Sequence, residues 1–123
     1  MPQIALELPA NEDAPARARE ALREISAGFD DEDVWRAEVI VTELVTNAVI
    51  HGAGGPVRLA LDCGGNGLRG QVTDPGPGIH RRRATQPVRE TGGRGLFLVG
   101  RLADGWGSAP DDSRVWFEVA SSG

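Results

Sequence analysis

Glu43-Leu-Val-Thr-Asn47-Ala-Val-Ile-His51-Gly52 decides how this chain is read. Glu43, Asn47 and His51 recur at intervals of four. On a helix of 3.6 residues per turn, that spacing stacks a carboxylate, a carboxamide and an imidazole along one stripe. The apolar residues Val34, Ala37, Val41, Leu44, Val45 and Ala48 fall on another side. One side of the helix packs, and a separate side offers polar groups in a row. Glu43 has the chemistry of a base, Asn47 that of an amide-oxygen ligand. His51 near the helix end reads first as a residue that compensates the helix dipole.

Working outward, Asp30 to Asp33 put acidic residues where a helix start favours them, and Gly52 closes the helix. Before it, Gln3 to Leu8 alternates as a short strand ended by Pro9. A helix follows, capped near Asn11 or Asp13, with apolar Ala14, Ala18, Ala21, Leu22 and Ile25 and a stop at Gly28. After it, Val57, Leu59, Leu61 and Cys63 alternate with Arg58, Ala60 and Asp62. Gly64 to Gly67 turn the chain, and Leu68 to Thr73 return as the second strand of a hairpin. A short helix opens at Gly92-Gly-Arg-Gly95, Trp106 falls in a strand, and Arg114 to Ala120 alternates again. The order β-α-α-β-β-α-β-β implies an α+β fold, a two-layer sandwich with helices on one sheet face.

Composition narrows the function classes. A chain of 123 residues is the size of one domain, so residues 1–123 are expected to form one unit. The net charge of −5 argues against direct nucleic-acid binding, which needs a basic face. No apolar run reaches the roughly 18 residues that cross a bilayer, and no secretory leader is visible. A cytoplasmic location is expected. Cys63 is the single cysteine, which excludes a disulfide framework and a thiolate metal cluster and suits a small core residue.

Two further stretches carry chemistry. In Asp74-Pro-Gly76-Pro-Gly78 a carboxylate just past a strand end can accept from an exocyclic amine while bare backbone closes on a flat ring. The same residues also make an ordinary turn. Gly92-Gly93-Arg94-Gly95 at a helix start suits phosphate oxygens, because N–H groups and the positive helix end point the same way. Neither a Walker A loop nor a G-x-G-x-x-G fingerprint fits, since no Gly-Lys-Ser/Thr follows and Leu98 replaces the third glycine. Between the two lies a polar stretch with Arg81, Arg82, Arg83 and Arg89, a length of loop suited to a lid at about 79–92. An arginine run in a loop is also commonly just solvated.

Taken in order, the three pieces resemble the GHKL, or Bergerat-fold, ATP-binding family. Glu43…Asn47…His51-Gly52 is similar to its N box, Asp74-x-Gly76-x-Gly78 to its G1 box and Gly93-x-Gly95 to its G2 box. Glu43 to His51 and Gly92 to Val99 look most like the anti-sigma-factor serine/threonine kinases of actinobacteria. The resemblance implies a two-layer sandwich with a mixed, mostly antiparallel sheet, and ATP with Mg²⁺ as cofactors. It implies that Asn47 coordinates the metal and Asp74 accepts from the adenine amine. Gly76 and Gly78 would shape the adenine pocket, and Gly93, Arg94, Gly95 and Leu96 would cradle phosphates. Glu43 would be the catalytic base toward a Ser or Thr hydroxyl of a STAS-domain antagonist, giving partner switching. A sigma factor as a direct partner and a homodimer stay open. Arg114 stands where relatives often carry Thr, which leaves that adenine contact unassigned. A second reading is a nucleotide-gated module that sequesters a sigma factor or another regulator without phosphotransfer.

Overall fold

The computed structural model describes residues 3–52, 54–74, 93–109 and 114–121. Its elements run β1 Gln3–Leu8, α1 Ala14–Ile25, α2 Asp31–His51, β2 Val57–Gly64 and β3 Gly67–Thr73. They continue with α3 Gly93–Leu102, β4 Gly105–Ala109 and β5 Arg114–Ala120. This is the order read from the sequence. The strands form a five-stranded sheet in the order β1-β2-β3-β5-β4. Every described pairing is antiparallel, so the expected mixture of directions is absent among the described residues.

Alternation sorts each strand into two faces. Val57, Leu59, Leu61 and Cys63 of β2, Leu68 and Val72 of β3, and Phe117 and Val119 of β5 are buried. They meet Ala14, Ala18, Ala21 and Leu22 of α1 and Ala37, Ile40, Val41, Leu44 and Val45 of α2 in one core. Val99 of α3 joins it, fully buried. Among the described residues no helix covers the other sheet face. Its residues include Ala5, Ala60, Gln71 and Trp116, which line an open hollow of about 510 Å³.

Two local features fix this packing. Gly70 on β3 pairs with Phe117 on β5, and a Cβ at Gly70 would stand 2.6 Å from the Phe117 ring. The missing side chain leaves the space that this ring fills. Between the helices, Arg23 of α1 grips Glu38 of α2 with two bonds of 2.8 and 3.2 Å. Arg19 of α1 donates to the Thr42 hydroxyl of α2 at 3.0 Å. The first of these is an exposed pair and contributes little to stability.

Asp33 stands in the first turn of α2, as the sequence implies, and its side chain is 1% exposed and paired with Arg36 at 2.9 Å. The buried stripe also includes Ile40, while Val34 and Ala48 are only half-buried.

Candidate functional site

The polar row on α2 is real but it is not straight. Each step of four residues advances about 400°, so the row winds by about 40° per step. All three residues are helical, since α2 runs through His51, and all three are half-buried. Measured from Arg36, Glu43 lies about 20° to one side and Asn47 about 20° to the other. His51 is turned about 60° away and belongs to a different side. Arg36, Glu43 and Asn47 therefore share one side of α2.

That face looks toward α3. Arg36 donates to the carbonyl of Leu102, the last residue of α3, at 3.0 Å. The same guanidinium meets Asp33 at 2.9 Å, Asp104 at 3.5 Å and the Ala120 carbonyl at 3.4 Å. Asp104 in turn accepts from the Ala120 amide at 2.6 Å. The Asp33 pairing, first among several charged neighbours, holds Arg36 further into its charged form. The last residue of α3 is tied there, and α3 packs on α2. Gly93 to Leu102 spans about 14 Å of helix. The first turn of α3 lies at the far end of that helix from the Arg36 tether. Gly93, Arg94, Gly95 and Leu96 form that turn. Sequence reasoning read Asp33 only as an acid at the helix start and passed over Arg36. Their only signal was an acid and a base three residues apart, which is common on solvated helices.

Asp74 closes the other end. It follows β3 directly and is 5% exposed. Its carboxylate lies against Gly52, the residue that ends α2, next to the Ala48 carbonyl. The C-terminal end of a helix carries partial negative charge and unsatisfied carbonyls. A carboxylate held there makes an electronegative corner, suited to a ligand that brings N–H donors. From Asn47 to Gly52 the helix rises about 7.5 Å. The Asp74 carboxylate and the Asn47 amide thus lie little more than one helical turn apart along α2.

Gly76, Gly78 and the lid expected at about 79–92 lie outside the described residues. Among the described residues no group of three His, Cys, Asp or Glu is placed to hold a metal ion. A lone amide oxygen is still a fitting donor for Mg²⁺, which keeps several waters and takes phosphate oxygens as further ligands. No helix of the described residues is long and apolar enough to cross a membrane. Arg114 pairs across the sheet with Thr73, the residue before Asp74, which puts its backbone beside this end of the site.

Comparison with known proteins agrees with this fold. Solved structures with a similar fold include the crystal structure of the RsbU and RsbW domains of Rv1364c from Mycobacterium tuberculosis. It superposes with a TM-score of 0.72 at 22% sequence identity, covering 98% of this chain and 32% of that one. This chain therefore spans about a third of the length of that protein. No curated protein matches the sequence. The sequence profile of the histidine kinase-like ATPase domain matches residues 8–117, from the end of β1 to the middle of β5. The chain belongs to the histidine kinase-like ATPase domain family.

Proposed function

We propose that the chain is an ATP-binding serine/threonine protein kinase of the anti-sigma-factor type, acting on a STAS-domain partner. The observation that carries this reading is that Glu43 and Asn47 share one side of α2, with the buried Asp74 carboxylate against Gly52 at that helix's end. Asp74 accepts from the adenine amine. The first turn of α3 takes phosphate oxygens through its N–H groups. Asn47 would hold Mg²⁺ through its amide oxygen, and the metal would supply charge neutralisation at the phosphates. Glu43 takes the proton of the acceptor hydroxyl as its oxygen bonds to the γ-phosphorus and ADP departs. Positioning and charge neutralisation supply most of the rate in such transfers.

The likeness to a structure that holds an RsbW domain supports a partner-switching setting. The test is incubation with labelled ATP, Mg²⁺ and a STAS-domain protein, followed by phosphopeptide mapping. Label on a Ser or Thr of the partner, lost with Glu43→Ala, is the expected result. Nucleotide binding and nucleotide-dependent partner binding without any label would instead favour the sequestering module.

A further inference from the structure

Gly52 ends α2 with φ −83° and ψ −175°, a conformation open to any residue. Its neighbour Gly54 is the opposite case, with φ +93° and nothing near the place a Cβ would occupy. Gly54 is required by the turn, whereas Gly52 is required by space alone. A Cβ on Gly52 would collide with the Asp74 Oδ2 atom and with the Ala48 carbonyl, and would stand 3.0 Å from Asp74 Cγ.

We propose that Gly52 is the seat of the Asp74 carboxylate, a positioning residue through which the end of α2 sets base recognition. The inference rests on the reading of Asp74 as the acceptor for the adenine amine. The chain reaches Asp74 from β3, and its Oδ2 atom lies where a Cβ on Gly52 would stand. The bare Cα of Gly52 leaves the room that this carboxylate occupies. A side chain at position 52 pushes the carboxylate outward and spoils its alignment with an exocyclic amine. The phosphate-binding turn of α3 and Asn47 are untouched by that displacement. Loss should therefore fall on base selectivity rather than on triphosphate binding as a whole.

The experiment compares affinity for Mg-ATP with affinity for Mg-purine riboside triphosphate, which lacks only the exocyclic amine. A hydrogen bond to a charged acceptor makes the wild-type chain favour ATP by about 10-fold or more. Gly52→Ala and Gly52→Val should bring that ratio toward one, the valine further, with affinity for the amine-free nucleotide kept within about threefold. Wild-type preference that persists in both variants overturns the seat and leaves the adenine reading standing. A wild-type chain that binds both nucleotides equally overturns the adenine reading and the seat together. If Gly52→Val unfolds, the double variant Gly52→Val with Asp74→Ala decides the matter. Removing the carboxylate should restore several degrees of melting temperature if the two residues share one space. An unchanged melting temperature in the double variant overturns the proposal.

Discussion

The Arg36 guanidinium joins the N-terminal half of α2 to the final carbonyl of α3, 66 residues later, through a 3.0 Å hydrogen bond to Leu102. It does so while paired with Asp33, a carboxylate that is 1% exposed. Removing one member of a buried pair leaves the other charged and desolvated, at about 3–5 kcal/mol. Arg36→Ala should therefore lower stability by a few kcal/mol, read by urea denaturation. Asp33→Asn with Arg36→Met should recover part of that loss. Because the same guanidinium holds α3, the double variant should still bind Mg-ATP less tightly than wild type. Equal affinities would mean that α3 needs no tether.

Asn47 is half-buried, so truncating it should leave the fold intact. A ligand at about 100 times its Kd adds about 2.7 kcal/mol to stability. The wild-type chain should melt several degrees higher with Mg-ATP than with ATP and a chelator. Asn47→Ala should bring the two melting temperatures together. A persisting Mg²⁺-dependent difference would assign the metal elsewhere.

Glu43 separates catalysis from binding. General bases contribute about 10² to 10⁴ in rate. Glu43→Gln should slow phosphotransfer to a STAS-domain partner by that factor and leave the affinity for ATP unchanged. A variant that transfers phosphate at the wild-type rate would remove Glu43 from the chemistry.

Cys63 provides a pH signature. Burial, with a smaller effect of Asp62, raises its thiol pKa above the ordinary range. Above about pH 8.5 the unfolded thiol loses a proton that the folded chain keeps. The unfolded state then binds fewer protons, and stability falls as pH rises, by at most about 1.4 kcal/mol per unit from this group. The wild-type chain should therefore lose stability between pH 8.5 and the raised folded value, and Cys63→Ala should lose less over the same interval. The native thiol should also resist a disulfide reagent at pH 8 until the chain unfolds.

Much of the fold was legible because its signals are local. The alternation of Val57, Leu59, Leu61 and Cys63 and the glycine turn after them identify a hairpin without reference to the rest of the chain. The polar residues of α2 were legible for the same reason, as a spacing on one helix. Their grouping was not. Spacing of four residues suggested that His51 belonged with Glu43 and Asn47, whereas the winding of the helix sets Arg36 with them instead. That grouping is a spacing of seven and eleven residues from Arg36, and what marks it out is the reach of Arg36 to α3, which no spacing within α2 contains. The burial of Asp33 was not legible for a related reason: an acid at a helix start is ordinarily solvated, and this one is paired with the guanidinium that reaches distant backbone. Gly52 looked like a simple helix stop, since its true constraint comes from a strand that ends 21 residues later.

The sheet order also sets a timetable. During synthesis β4 emerges before β5, yet β5 is the strand that lies between β3 and β4. Until Arg114 to Ala120 have been made, β3 presents an open edge and β4 has no neighbour to pair with. Asp74 sits at the end of that open strand, and α3 lacks the Ala120 carbonyl that shares its arginine tether. A nascent chain can thus form its first hairpin and its long helix early, but nucleotide chemistry must wait for the last strand to slot in.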